Sequence, residues 1–177
     1  MSGLTRKMVA TIRKQMPALK ELELKRQCGE LSHGDFLLWM QYYNGILRLF
    51  DAEGSKLREE RQSVRIPYGE ELTYKKGGTV YSSVILDISS NGLSIEHNPD
   101  LAVDDLVGLT LEFERRGFLG IKQGNTVSLS AVCQWTSSQE GKTALNFINV
   151  QENQRIVLVN FIFDEVERQA KRALKQI

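Results

Sequence analysis

The chain has 177 residues, 23 of them lysine or arginine and 22 aspartate or glutamate, and 41% are hydrophobic. This length forms one domain, or a small domain with an appendage, and buries a sizeable core, which excludes a disordered chain and a disulfide-stapled miniprotein. No run of 18 apolar residues is present, so no membrane span is expected. The first seventeen residues hold no apolar stretch of signal-peptide length, so the expected location is the cytoplasm, with Cys28 and Cys133 as reduced thiols. His33 and His97 are the only histidines and no Cys/His cluster exists, so no metal and no cofactor is expected.

Leu4, Met8, Val9, Ile12 and Met16 share one face, which predicts a helix over 4–16 stopped by Pro17. A short second helix over 18–27 ends before Gly29, and Ser32 or Asp35 can cap a third over 36–50. The third, FLLWMQYYNGILRLF, is apolar almost all round, which implies burial: against helix 4–16, against the main domain, in a dimer interface or on a membrane surface. Residues 54–65 mix Gly, Ser and charges in the manner of a linker. Alternating segments follow at 79–89, 93–95, 106–113, 126–135 and 143–150, with turn residues at Gly77-Gly78, Asn91-Gly92, Gly124-Asn125 and Glu140-Gly141. Several short strands without intervening helices predict a small antiparallel barrel or sandwich, a mainly β fold with flanking helices. A last helix near 152–175 carries the stripe Ile156, Val159, Phe163, Val166, Ala170 and Leu174, with Glu165 and Glu167 on its solvated face and a charged end at 167–177 that projects or frays. The organisation is a helical extension over 1–53, a linker over 54–66, and a barrel with its C-terminal helix over 67–177.

Charge is unevenly spread: residues 1–50 carry 8 basic and 4 acidic side chains, and residues 51–150 carry 10 and 14. An acidic middle argues against DNA, which needs a broad basic face. No nucleophile elbow or dinucleotide fingerprint is present, and Gly141-Lys142-Thr143 lacks the earlier glycine of a phosphate loop, so no enzyme activity is expected. Two short elements stand out: Arg61-x-x-x-Arg65 before the strands, and Asp87-x-Ser89-x-x-Gly92 where the strand over 79–89 ends. An arginine fork binds phosphate or the O6/N7 edge of guanine, and its plane stacks on a base. A carboxylate accepts from guanine's N1–H and N2–H₂, a serine hydroxyl adds a bond, and a glycine can turn with positive φ and leave room for a flat ring. The same residues equally suit surface charges paired with Glu59, Glu60, Glu70 or Glu71, beside an ordinary turn.

The two motifs, in this order and followed by Leu93-Ser94-Ile95, resemble the PilZ domain, the bacterial receptor module for cyclic di-GMP, over about residues 57–165. The strand ending Leu145-Asn146-Phe147 is similar to the family's closing strand, with Ala144 or Leu145 where a glycine is common. The resemblance implies a six-stranded antiparallel barrel with a C-terminal helix. It also implies a cyclic di-GMP site of Arg61, Arg65, Asp87, Ser89 and Gly92, with Arg58 as an added cation. In the family the residue before the first arginine, here Glu60, influences whether one ligand or a stacked pair is held. The implied function is a cyclic di-GMP receptor or effector whose ligand reorients the N-terminal helices for downstream signalling. The alternative is a PilZ-like adaptor that binds proteins without nucleotide. Residues 1–50 carry no family signature and can hold a protein partner or form a homodimer.

Overall fold

A computed structural model describes residues 6–50, 63, 65–116 and 122–176. The chain divides into two compact units: Met1–Ile66 with Leu158–Ile177, and Pro67–Val157.

The first unit is helical. Helix α1 spans Arg6–Gln27 as one element with Pro17 inside it, so the expected stop at Pro17 and the separate helix over 18–27 are corrected. The apolar stripe explains this: Val9, Ile12, Met16, Leu19 and Leu22 are all buried at helical spacing on both sides of the proline. Burying the last two leucines contributes about 1.5–3 kcal/mol each, which offsets the roughly 3 kcal/mol that an interior proline costs. Helix α2 spans His33–Phe50 and begins earlier than expected, because Ser32 is its cap: the Ser32 Oγ accepts the Asp35 amide at 3.1 Å. It is not buried all round. Trp39, Tyr43 and Ile46 are in the core, whereas Phe36, Leu37 and Leu38 are exposed.

Helix α3 spans Glu152–Gln176, beginning in the second unit and ending in the first. Its buried face is Leu158, Val159, Ile162, Phe163 and Val166; Ile156 is exposed, which corrects the start of the predicted stripe. The charged end stays helical to Gln176 rather than fraying, and Glu167 there meets Lys171 at 2.8 Å and Arg13 at 3.7 Å.

Two buried carboxylates share one local pattern, Glu-x-x-Arg-Gln. Glu23, 1% exposed, accepts from Arg26 at 3.2 Å, from Gln27 at 3.0 Å and from the Trp39 indole N–H at 2.6 Å. The Arg26 guanidinium also lies 4.9 Å over the Trp39 ring, tying α1 to α2. Glu165, expected on the solvated face, is instead buried and clamped by Arg168 and by Gln169 at 2.8 Å. A carboxylate with this many donors tolerates burial that a bare one would not.

The second unit is a closed six-stranded antiparallel barrel. Its strands are β2 (Glu71–Lys76), β3 (Thr79–Ser89), β4 (Gly92–Glu96), β5 (Leu106–Arg116), β6 (Lys122–Ser137) and β7 (Lys142–Ile148), in the ring order β3-β2-β5-β6-β7-β4. The β4–β3 pairing closes it. A three-residue strand β1 (Arg65–Pro67) leads in. Strand β2 was absent from the alternation noted in sequence; its Leu72 and Tyr74 point inward, and Tyr74 stacks on Tyr81 of β3 at 5.3 Å. The β2–β3 hairpin turns at Gly77 and Gly78, whose φ of +54° and +89° suit a primed turn. Gly124-Asn125 is not a turn but part of β6, paired with Glu114 and Phe113 of β5. No described helix is long and apolar enough to cross a membrane.

The seam between β4 and β7 allows no side chain at Gly92. A Cβ built there would stand 2.3 Å from the Leu145 carbonyl oxygen and 3.2 Å from the Asn146 Cα, both backbone atoms. Gly92 is not among the positive-φ glycines, so the expectation that its left-handed conformation makes the turn is corrected: it is there for close approach. At the rim, Asp105 accepts from Lys76 Nζ and from the Ala102 amide at 2.7 Å. The Lys76 hydrogen bond, then the amide, hold its carboxyl below the ordinary carboxylate value.

Two predictions follow from these contacts. Gly92→Ala should lower urea-measured stability by about 1–3 kcal/mol through overpacking, whereas Gly108→Ala, with open space around it, should change it by no more than about 0.5 kcal/mol; equal effects would refute the close-approach account. Because the folded Asp105 pKa is depressed, its contribution is complete above the unfolded value and disappears as pH falls through the folded one, below about pH 4. Asp105→Asn should therefore be less stable than the parent at neutral pH and lose less on acidification, and parallel stability curves from pH 7 to 3 would exclude the pair as a contributor.

Candidate functional site

The Asp-x-Ser-x-x-Gly element ends β3 and begins β4. Ser89 is buried, and its Oγ accepts the Asn91 amide at 3.3 Å and donates to the Gly92 carbonyl at 3.1 Å. The serine thus braces the turn. The Asn91 carbonyl accepts the Phe147 amide at 2.8 Å, which fastens the turn to β7.

Asp87 owes its direction to a β-bulge. Along β3, Ile85 faces the core, and strict alternation would turn Asp87 inward with it. A register shift between Ile85 and Asp87 changes the parity, so that Ile88 packs inward and Asp87 faces out. Asp87 is half-buried as a residue, with its Oδ1 out of reach of solvent, and stands opposite Ser94 of β4. Ser94 pairs with Ala144 of β7, and Ala144 with Trp135 of β6.

A second register shift, between Cys133 and Trp135, does the same on β6. Val127, Leu129, Ala131 and Cys133 face the core by alternation, and Trp135 would follow them. The bulge turns it outward instead, 41% exposed. Asp87, Ser94, Ala144 and Trp135 therefore form one row across four strands on the side away from the barrel interior, next to the inward row Ile88, Leu93, Leu145 and Cys133; within it Ser94 and Ala144 are buried and Trp135 is exposed. Trp135 was not singled out by the sequence, because only the bulge removes it from the core. The residues around Cys133 do not make it reactive: burial, first, pushes its thiol pKa up.

Of the other expected site residues, Arg65 is the first residue of β1 and is half-buried. Arg58 and Arg61 lie outside the described residues, as do Glu60 and most of the 54–65 linker. Among the described residues no group of three His, Cys, Asp or Glu side chains could hold a metal ion.

The sequence matches the family described as PilZ domain over residues 59–164. No curated protein matches it. Similar solved structures include the PilZ domain of CeSA from a cellulose-synthesizing bacterium, at 16% identity and a TM-score of 0.45, covering 57% of this chain and 96% of that one. The PilZ domain of YcgR from Escherichia coli with c-di-GMP is similar at 14% identity and a TM-score of 0.46, covering 66% and 98%. The MrkH–c-di-GMP complex from K. pneumonia is similar at 17% identity and a TM-score of 0.47, covering 64% and 55%. The family match takes in more than half of the chain, both short motifs and all six barrel strands, and the chain belongs to the PilZ domain family.

Proposed function

We propose that this protein is a cyclic di-GMP receptor whose site comprises Arg61, Arg65, Asp87, Ser89 and Gly92, with Arg58 as an added cation. The observation that carries the reading is the bulge that turns Asp87 out of the barrel core. A half-buried carboxylate aimed outward beside a braced turn is the acceptor that guanine's N1–H and N2–H₂ require. Arg61 and Arg65 supply forks for phosphate and for guanine's O6/N7 edge. Ser89 and Gly92 keep the turn and the seam in shape and so position Asp87. Family membership and the presence of both motifs support this assignment. The neighbouring YcgR and MrkH structures contain c-di-GMP. Ligand binding through the 54–65 linker residues then reorients the helices over 4–50, and this change is the downstream signal.

The energetics are adequate. Charge-assisted hydrogen bonds contribute roughly 1.5–3 kcal/mol each, and a micromolar ligand needs about 8 kcal/mol in all. A few such bonds with base stacking reach this after ordering costs.

One observation favours the adaptor alternative for residues 1–50: Phe36, Leu37 and Leu38 are exposed on α2, as a protein-binding helix would present them. That role is compatible with nucleotide binding by the barrel.

Calorimetry on the intact chain should show c-di-GMP binding that GMP does not match, and Arg61→Ala, Arg65→Ala and Asp87→Ala should each weaken it at least tenfold. Parent-like binding by all three variants would remove the assigned site. For the coupling, spin labels at Cys28 and at a Ser138→Cys substitution, both exposed, should report a changed distance distribution on saturation with ligand. An unchanged distribution would leave a receptor without the proposed reorientation.

A further inference from the structure

Charge changes sign along the helical hairpin of α1 and α2. Residues 1–20 hold the basic side chains Arg6, Lys7, Arg13, Lys14 and Lys20 and no acidic one; the first acid in the chain is Glu21. Beyond it, Glu30 and Asp35 add negative charge around the turn into α2. Lys7, Lys14 and Glu21 are spaced by seven, which drifts only about 20° per step on an α-helix, so they form one line along α1. All three are exposed, as are Ala10, Pro17 and Ala18 between them. Lys7 and Lys14 have no ion pair among the described residues, and Glu21 meets Lys25 of its own helix at 3.1 Å while staying 70% exposed. At the turn end of the hairpin, Phe36, Leu37 and Leu38 are exposed around the first turns of α2. The apolar run stops there, because the exposed Gln41 and Asn44 continue the face of Leu37.

We propose that this face docks a second copy of the chain, with the two α1 helices side by side and antiparallel. A two-fold axis between Pro17 and Ala18 sets Lys14 of each copy against Glu21 of the other, so both pairs form at once. The small residues at the axis let the helices approach to about 8–10 Å. A parallel copy would put like charges together. An acidic partner of another sequence would suit only the first half of α1. An anionic lipid surface would be repelled at the end that carries Phe36, Leu37 and Leu38, where Glu21, Glu30 and Asp35 lie. A partner groove that takes a helix reads apolar anchors at i, i+3, i+4 and i+7, and Gln41 and Asn44 interrupt that series. An antiparallel copy of the same face answers both halves. Exposed ion pairs contribute little affinity, so Lys14 and Glu21 set orientation and register, while the apolar run and the small residues supply the burial. The contact uses no residue of the proposed cyclic di-GMP site.

The test is analytical sedimentation of the intact chain, with a distance measurement between spin labels at Cys28, which is exposed while Cys133 is buried. The parent should dimerise. Labels on paired copies should stand about 30 Å apart along the antiparallel helices, against roughly 10 Å in a parallel pair. Lys14→Glu and Glu21→Lys, both at exposed positions, should each weaken self-association about tenfold, since each sets two pairs of like charges face to face. The double variant Lys14→Glu/Glu21→Lys should recover the dimer, because the exchange restores both pairs. Leu37→Ser should weaken association and leave the label distance unchanged in the dimer that remains. A parent that stays monomeric overturns the inference, even if the same face binds another protein or an anionic vesicle. So does a dimer indifferent to both charge reversals, or one whose labels stand at the parallel distance.

Discussion

Closure of the barrel depends on β4, a five-residue strand hydrogen-bonded along both edges, to β3 on one side and β7 on the other. Its length leaves little tolerance. Leu93 and Ile95 fill the core, Gly92 lets the Leu145 carbonyl come close, and the Ser89 hydroxyl binds the turn that delivers the chain into the strand. A ring of six strands has no open edge to template aggregation, but only while this seam holds. The residues that fasten the seam also fix where Asp87 stands, so fold stability and the candidate site share one short stretch of sequence.

Much of this was legible in the sequence. Period-2 alternation marked most strands, because inward residues such as Leu109, Leu111, Val127 and Leu129 are apolar and their neighbours polar. The helices were visible as stripes, yet their ends were misplaced. Pro17 carries a strong local preference to stop a helix, and tertiary burial of Leu19 and Leu22 overrode it. Glu165 was placed in solvent because composition cannot show that Arg168 and Gln169 fold back on it. Trp135 was hidden for a sharper reason. A bulge inserts one residue and inverts the facing of everything after it, and nothing in the local composition around Gln134 announces that insertion.

The two units divide the chemistry. The barrel is acidic on balance and carries the outward row, whereas the N-terminal helices carry the excess of basic residues and the exposed Phe36-Leu37-Leu38 run. Arg65 opens β1 just before the second unit begins at Pro67.

The Glu23 cluster constrains how this family member can diverge. Removing Arg26 or the Trp39 indole alone would leave the buried carboxylate short of one donor, and removing Glu23 alone would take the shared acceptor from Arg26, Gln27 and the Trp39 indole. Each single step is costly, while a concerted exchange for a well-packed apolar set is not. Positions 23, 26 and 39 are thus expected to drift together across descendants, as a locked trio inherited whole or replaced whole.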